Sequence, residues 1–139
     1  MNNIDKQYKE LLKTAKSARD MSYCPYSGFA VGAALLTKSG KVYVGANIEN
    51  ASYSATICAE RVAISKAISE GEMDFAAIAI VGARRENNAD EPCTPCGVCR
   101  QFISEFADSD FKIVLSDKEG YSAYSLDEIL PLRFTKDKL

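Results

Sequence analysis

Along residues 3–22 the apolar positions recur at helical spacing. Ile4, Tyr8, Leu11, Leu12, Ala15, Ala18 and Met21 fall on one face, while Lys6, Lys9, Lys13 and Lys16 lie elsewhere on the cylinder. An amphipathic helix is predicted there. Pro25 follows it, and residues 23–28 read as a loop. Residues 29–37 are then almost continuously apolar, which marks a buried strand, and after a turn at 38–41 residues 42–46 pair back as a hairpin. Residues 47–54 are polar and loop-like. A second helical stretch runs from about residue 58 to 70 and stops at Gly71, a favoured C-terminal stop. Residues 76–81 read as a third strand and 82–94 as a polar loop. Residues 96–106 read as a helix, 111–116 as a fourth strand and 117–120 as a turn. Residues 121–125 read as a short fifth strand, and 126–130 as a short helix cut off by Pro131.

This order predicts an α/β fold. Helical crossovers make strands two and three, and strands three and four, run parallel, whereas tight turns make strands one and two, and four and five, antiparallel. The expected architecture is a mixed five-stranded sheet with helices on both faces, a three-layer α/β/α arrangement. Residues 1–139 are expected to form a single domain, since neither an internal repeat nor a linker interrupts the pattern. The turn at 117–120 leaves no room for a helix between strands four and five.

Composition narrows the chemistry. The chain is 47% hydrophobic and 26% charged with a net charge of −2, so it lacks the basic footprint that nucleic acid or an anionic membrane would select. Met1 is followed by Asn2, Asn3, Ile4, Asp5 and Lys6 rather than an apolar leader, and no stretch reaches transmembrane length. The expectation is a cytoplasmic protein with no membrane partner. Histidine is absent, which removes His-based acid–base catalysis, Ser-His and Cys-His nucleophiles, and every His-containing metal site. A general base working near neutral pH must then be Glu, Asp, Lys or Tyr with a tuned pKa.

Five cysteines remain, and three crowd into Cys93-x-x-Cys96-x-x-Cys99. Cys58, Cys96 and Cys99 form a candidate zinc set: a C-x-x-C pair and a distant cysteine, both opening helices, whose dipoles and free N–H groups favour thiolate. Catalytic zinc takes three protein ligands and leaves the fourth position to water. Three thiolates give the cluster a formal charge of −1, which a nearby cation such as Arg61 would offset. Glu60, two residues after Cys58, is the candidate proton carrier. The alternatives are a closed four-cysteine site with Cys93 as fourth ligand, or part of an iron–sulfur cluster.

At these residues the chain resembles the small homotetrameric cytidine deaminases. The likeness covers residues 23–29, Val31-Gly32-Ala33-Ala34-Leu35-Leu36, Asn47-Ile48-Glu49-Asn50, Cys58-Ala59-Glu60-Arg61, residues 95–101 and Leu130-Pro131. The resemblance implies a cytidine deaminase-like fold with one zinc ion per chain. It also implies hydrolytic deamination of cytidine and deoxycytidine to uridine and deoxyuridine, with release of ammonia, in pyrimidine salvage. By position it implies that Cys58, Cys96 and Cys99 hold zinc and Glu60 shuttles protons. Asn47 and Glu49 would bind the ribose 3′-hydroxyl, and Phe29 would stack on the pyrimidine. Backbone groups of Cys58, Ala59 and Pro95 would meet the base edge. Arg61 would bond the ligand sulfurs, and Phe134 would come from a neighbouring subunit of a tetramer, with Tyr53 at a subunit boundary. Gly28, Ala46 and Cys93 depart from the family pattern.

Without the resemblance each residue also has an ordinary reading. Phe29 is core, Asn47 and Glu49 are turn residues, Arg61 is a solvated helix residue, and Phe134 is core or interface. Cys24 reads as a small buried residue, Cys93 as a loop thiol, and Arg84 with Arg85 as a solvated pair. Two rival functions stand beside the first. One is the same chemistry on a blasticidin-type nucleoside antibiotic. The other is a non-catalytic module stabilised by a closed zinc site.

Overall fold

The computed structural model describes residues 2–139. Helix α1, Asn3–Ala18, tightens into a 3₁₀ turn at Arg19–Met21 and leads to strands β1, Phe29–Thr37, and β2, Val42–Ala46. Helix α2, Ala59–Ser69, strand β3, Phe75–Arg84, and helix α3, Gly97–Phe106, follow. Strands β4, Lys112–Asp117, and β5, Gly120–Ser125, and the short helix α4, Leu126–Ile129, complete the main elements.

The five strands form one mixed sheet in the order β2-β1-β3-β4-β5. Strand β1 is antiparallel to both β2 and β3, β3 is parallel to β4, and β4 is antiparallel to β5. Strands β2 and β3 therefore point the same way, as expected, but β1 lies between them. Alternation along the strands separates two cores. Leu35, Ile78, Ile80, Ile113 and Leu115 face α2 and α3 with Ala63, Ile64 and Ile103, whereas Ala34, Leu36, Ala77, Ala79, Val81 and Val114 face α1 with Leu11, Leu12 and Ala15. The predicted α/β/α layering is present.

Two elements differ from expectation. The first helix stops at Ala18 because the next residue turns inward: buried Arg19 donates from Nε to Ala30 O at 2.9 Å and from Nη2 to Ala83 O and Arg84 O at 3.1 Å each. The third strand continues three residues beyond Val81, into what the sequence marks as loop. Gly82, Ala83 and Arg84 pair with Val31, Ala30 and Phe29, so partnership with β1 overrides a weak local pattern. Arg85, read as solvated, is exposed yet donates from Nη2 to Ser22 O.

Gly45 positions α2. A Cβ there would lie 2.4 Å from Ala59 O and 2.6 Å from Ala63 N, so only a bare backbone lets the first turns of α2 rest this close to β2. Gly45→Ala is expected to cost about 1–3 kcal/mol, read from the urea midpoint. An unchanged midpoint would mean that α2 tolerates a wider seat.

Candidate active site and metal centre

Cys58 and Cys96 are the N-cap residues of α2 and α3. Both have extended backbone, φ −74° and ψ 155° for Cys58 and φ −68° and ψ 168° for Cys96, and neither thiol bonds the amides of its own helix. Cys99 sits one turn into α3 and is fully buried. The three sulfurs lie within 4.8 Å of one another, with 3.9 Å between those of Cys58 and Cys96. Tetrahedral zinc with Zn–S bonds of about 2.3 Å sets its sulfurs about 3.8 Å apart, so the donor set fits that ion in spacing and in chemistry. Cys93 lies outside the cluster, and among the described residues no fourth ligand closes the site.

The charge pattern is that of a cluster prepared for a cation. The Cys99 thiol donating to Cys58, together with the Arg61 guanidinium, brings the Cys58 thiol down to about 5 despite partial burial. Cys99, which keeps the proton shared with Cys58 and is buried, is pushed strongly up. Arg61 Nη2 reaches Cys58 Sγ at 3.5 Å and Thr56 O at 3.4 Å. Glu60, one residue into α2, is 4% exposed, and burial pushes its carboxyl up to about 7, with the nearby Cys58 charge adding to the effect.

Cys58, Cys96 and Glu60 open onto a cavity of ≈ 230 Å³. Cys58, Ala59, Glu60 and Cys96 form one part of its lining, and Ser27, Phe29, Asn47 and Glu49 another. Phe29 is 39% exposed. The Asn47 amide is held to the end of β1, its Oδ1 accepting from Val31 N at 2.9 Å and its Nδ2 donating to Phe29 O at 2.8 Å. Glu49 Oε1 accepts from the amides of Tyr26 and Ser27 at 2.9 and 3.1 Å, and Oε2 accepts from the Ser27 hydroxyl. A larger hollow of ≈ 320 Å³ near the C-terminal segment, lined by Met73, Glu105 and Thr135 among others, contains none of the thiols.

Of the predicted substrate-binding residues Pro95 and Phe134 lie off the cavity wall, as do Cys99 and Arg61. Pro95 is fully buried, with its carbonyl accepting from Arg100 Nε at 2.7 Å, and the neighbouring Thr94 lines the cavity instead. Phe134 is 60% exposed, and its carbonyl accepts from Gln101 Nε2 at 2.9 Å. Conversely, sequence reasoning gave Ser27, Val31, Thr56 and Thr94 no role and read Cys93 as a loop thiol or a fourth metal ligand, yet all five line the cavity. Ser27 carried a signal: a serine two residues before Phe29 can bond that backbone, and its Oγ accepts from Phe29 N at 2.9 Å.

Residues 5–115 match the family model described as "Cytidine and deoxycytidylate deaminase zinc-binding region". A cytidine deaminase of Halalkalibacterium halodurans is 47% identical over 93% of this chain and 95% of its own length. A blasticidin-S deaminase of Bacillus cereus is 34% identical, covering 97% of each chain. The crystal structure of a cytidine deaminase from Burkholderia pseudomallei superposes with a TM-score of 0.81 at 40% identity, covering 96% of this chain and 100% of that one. A three-layer α/β/α frame with thiolates at two helix N-termini and a buried carboxylate beside them defines a zinc-binding deaminase scaffold. The chain belongs to the cytidine and deoxycytidylate deaminase family.

Hydrogen bonding to Ser27, first its hydroxyl and then its amide and that of Tyr26, holds the Glu49 carboxyl below the usual range. Ser27→Ala is expected to raise the Glu49 pKa toward its ordinary value, measured by carbon-13 NMR of the carboxylate. An unmoved titration would show that the two backbone amides suffice.

Proposed function

We propose that this chain, one domain over residues 1–139, hydrolyses cytidine and deoxycytidine to uridine and deoxyuridine and releases ammonia. The observation that carries this is the convergence of Cys58, Cys96 and Cys99 beside buried Glu60 in a cavity that also presents Asn47 and Glu49. Zinc held by the three sulfurs, one ion per chain, would supply Lewis acidity that makes a water reactive toward an electrophilic carbon at neutral pH. The chain's own groups do the rest. Glu60 takes a proton from the attacking water and passes it to the ring nitrogen N3, then takes the second proton from the same oxygen, now bonded to C4, and hands it to the amine that leaves as ammonia. A carboxyl raised to about 7 alternates between base and acid near neutral pH. Arg61 donates toward Cys58 and offsets its charge. Phe29 offers an aromatic face to the base. Backbone groups at Cys58, Ala59 and the Thr94-Pro95 segment serve the base edge.

The sugar site supports both nucleosides. A carboxylate offers about four acceptor positions and an amide two donors and two acceptors. Glu49 already spends three acceptors on Tyr26 and Ser27, and Asn47 one donor and one acceptor on β1. What remains on the pair suits one hydroxyl that donates to Glu49 and accepts from Asn47. Recognition of the 3′-hydroxyl alone leaves the 2′ position unread, so ribose and deoxyribose both fit. The likeness to a blasticidin-S deaminase keeps an antibiotic nucleoside as the second reading, and a substrate panel separates them by preference.

We further infer a homotetramer in which neighbours complete each cavity. The exposure of Phe134, at 60%, and Tyr53, at 69%, supports this. A cytoplasmic location is in keeping with the observation that no described helix is long and apolar enough to cross a membrane. Nucleic acid is not expected as a partner of this acidic chain.

Glu60→Gln is expected to retain zinc and lose turnover by about 10²–10⁴-fold, measured by ammonia release from cytidine alongside zinc per chain. Near-normal turnover in the zinc-loaded variant would reject Glu60 as the proton carrier.

A further inference from the structure

We propose that Cys93, seated on the bare backbone of Gly82, fixes the room available at carbon 5 of the pyrimidine and so decides which 5-substituted nucleosides the enzyme accepts. This rests on the cytosine-nucleoside reading above. Between the sugar-bearing N1 and the reacting C4, a cytosine ring has two long edges. One carries O2 and N3, which lose hydrogen bonds to water on entry and need polar partners. The first turn of α2 supplies them at Ala59 and Glu60, the same groups that flank the sulfurs. The other edge carries only the hydrogens of C5 and C6 and needs an apolar wall. Phe29, half-exposed at a strand end, suits the ring face. The remaining apolar side chains that line the cavity are Val31 and Cys93. The Cys93 thiol is neutral, since burial pushes it up to about 12, so it presents a small apolar surface rather than a charge.

This stretch of wall cannot retreat. A Cβ on Gly82 would lie 2.6 Å from Cys93 Sγ, 3.2 Å from Cys93 Cβ and 3.0 Å from Val31 Cγ2. Cys93 therefore already occupies the space that a side chain at 82 would fill. Gly82 and Val31 are register partners in β3 and β1, so the floor beneath the thiol is the sheet itself. A ring with hydrogen at C5 fits against this surface, and a 5-methyl group meets the sulfur.

The test compares 5-methylcytidine with cytidine in the zinc-loaded parent, Cys93→Ala and Cys93→Val. The ratio of their kcat/KM values is expected to rise about tenfold or more in Cys93→Ala and to fall in the bulkier Cys93→Val. Binding of 5-methyluridine against uridine, read by calorimetry without turnover, is expected to follow the same order. Zinc content and urea midpoints establish that each variant is folded, and Cys93→Val decides by sign if Cys93→Ala does not fold. Ratios within about twofold of the parent in the folded variants overturn the role of Cys93 while leaving the deaminase reading intact. A parent that releases no ammonia from cytidine overturns both.

Discussion

Three sulfurs drawn to within 4.8 Å of one another are an electrostatic problem before they are a binding site. Three thiolates at that spacing repel, and the surrounding structure is arranged to tolerate them. The N-terminal ends of α2 and α3 point partial positive charge at Cys58 and Cys96. Arg61 adds a full charge within 3.5 Å of Cys58. The Cys58 thiol is held down by its hydrogen bond with Cys99 and by Arg61, while the buried Cys99 thiol is pushed up, so the surroundings treat the sulfurs unequally. A divalent cation held by all three would join two helix ends 38 residues apart in sequence, so metal affinity and the α2–α3 arrangement are coupled.

That coupling needs a platform that holds both helix ends in place. Gly45 lets α2 lie against β2 at backbone contact, and Arg100, through Pro95 O and Ile129 O, ties the entry of α3 to the α4 segment. Arg19 works from the other layer. Its buried guanidinium donates to the carbonyls of Ala30, Ala83 and Arg84, and so it clamps the paired ends of β1 and β3 beside the cavity. A cation satisfied by carbonyls holds two strand ends without placing another carboxylate near the thiolates.

Much of this was legible in the chain, for identifiable reasons. The helical period over 3–22, the apolar runs at 29–37 and 42–46 and the helical stretches between strands gave the layers, because burial against a core demands apolar residues at the facing positions. The grouping of Cys58, Cys96 and Cys99 was legible because metal ligation restricts residue type and spacing together. The end of β3 was not legible: Gly82, Ala83 and Arg84 carry little strand preference, and their pairing comes from β1, fifty residues earlier in the chain. Cys93 was underread for the same reason, since its placement depends on Gly82 being strand rather than loop. Ser27 belonged to a recognised loop, but its hydroxyl acquires meaning only when Glu49 arrives beside it.

Asn47 and Glu49 serve the fold and line the cavity at once. The Asn47 amide imitates a strand neighbour, exchanging bonds with Val31 N and Phe29 O, and Glu49 gathers the 26–27 loop onto its carboxylate. The bonds that finish the edge of β1 and close the loop are thus the bonds that hold these two cavity-lining groups still. Ser27 Oγ links the two, accepting from Phe29 N while donating to Glu49, so the aromatic residue and the carboxylate share one anchor. A ligand entering such a site loses its own freedom but orders little of the protein, which favours binding and accurate placement at the zinc end. Replacing either side chain removes a polar group from the cavity lining and a structural contact at once. A change of affinity in such variants therefore measures both, and so does one at Ser27, whose hydroxyl lines the same cavity and holds Glu49 and Phe29 together.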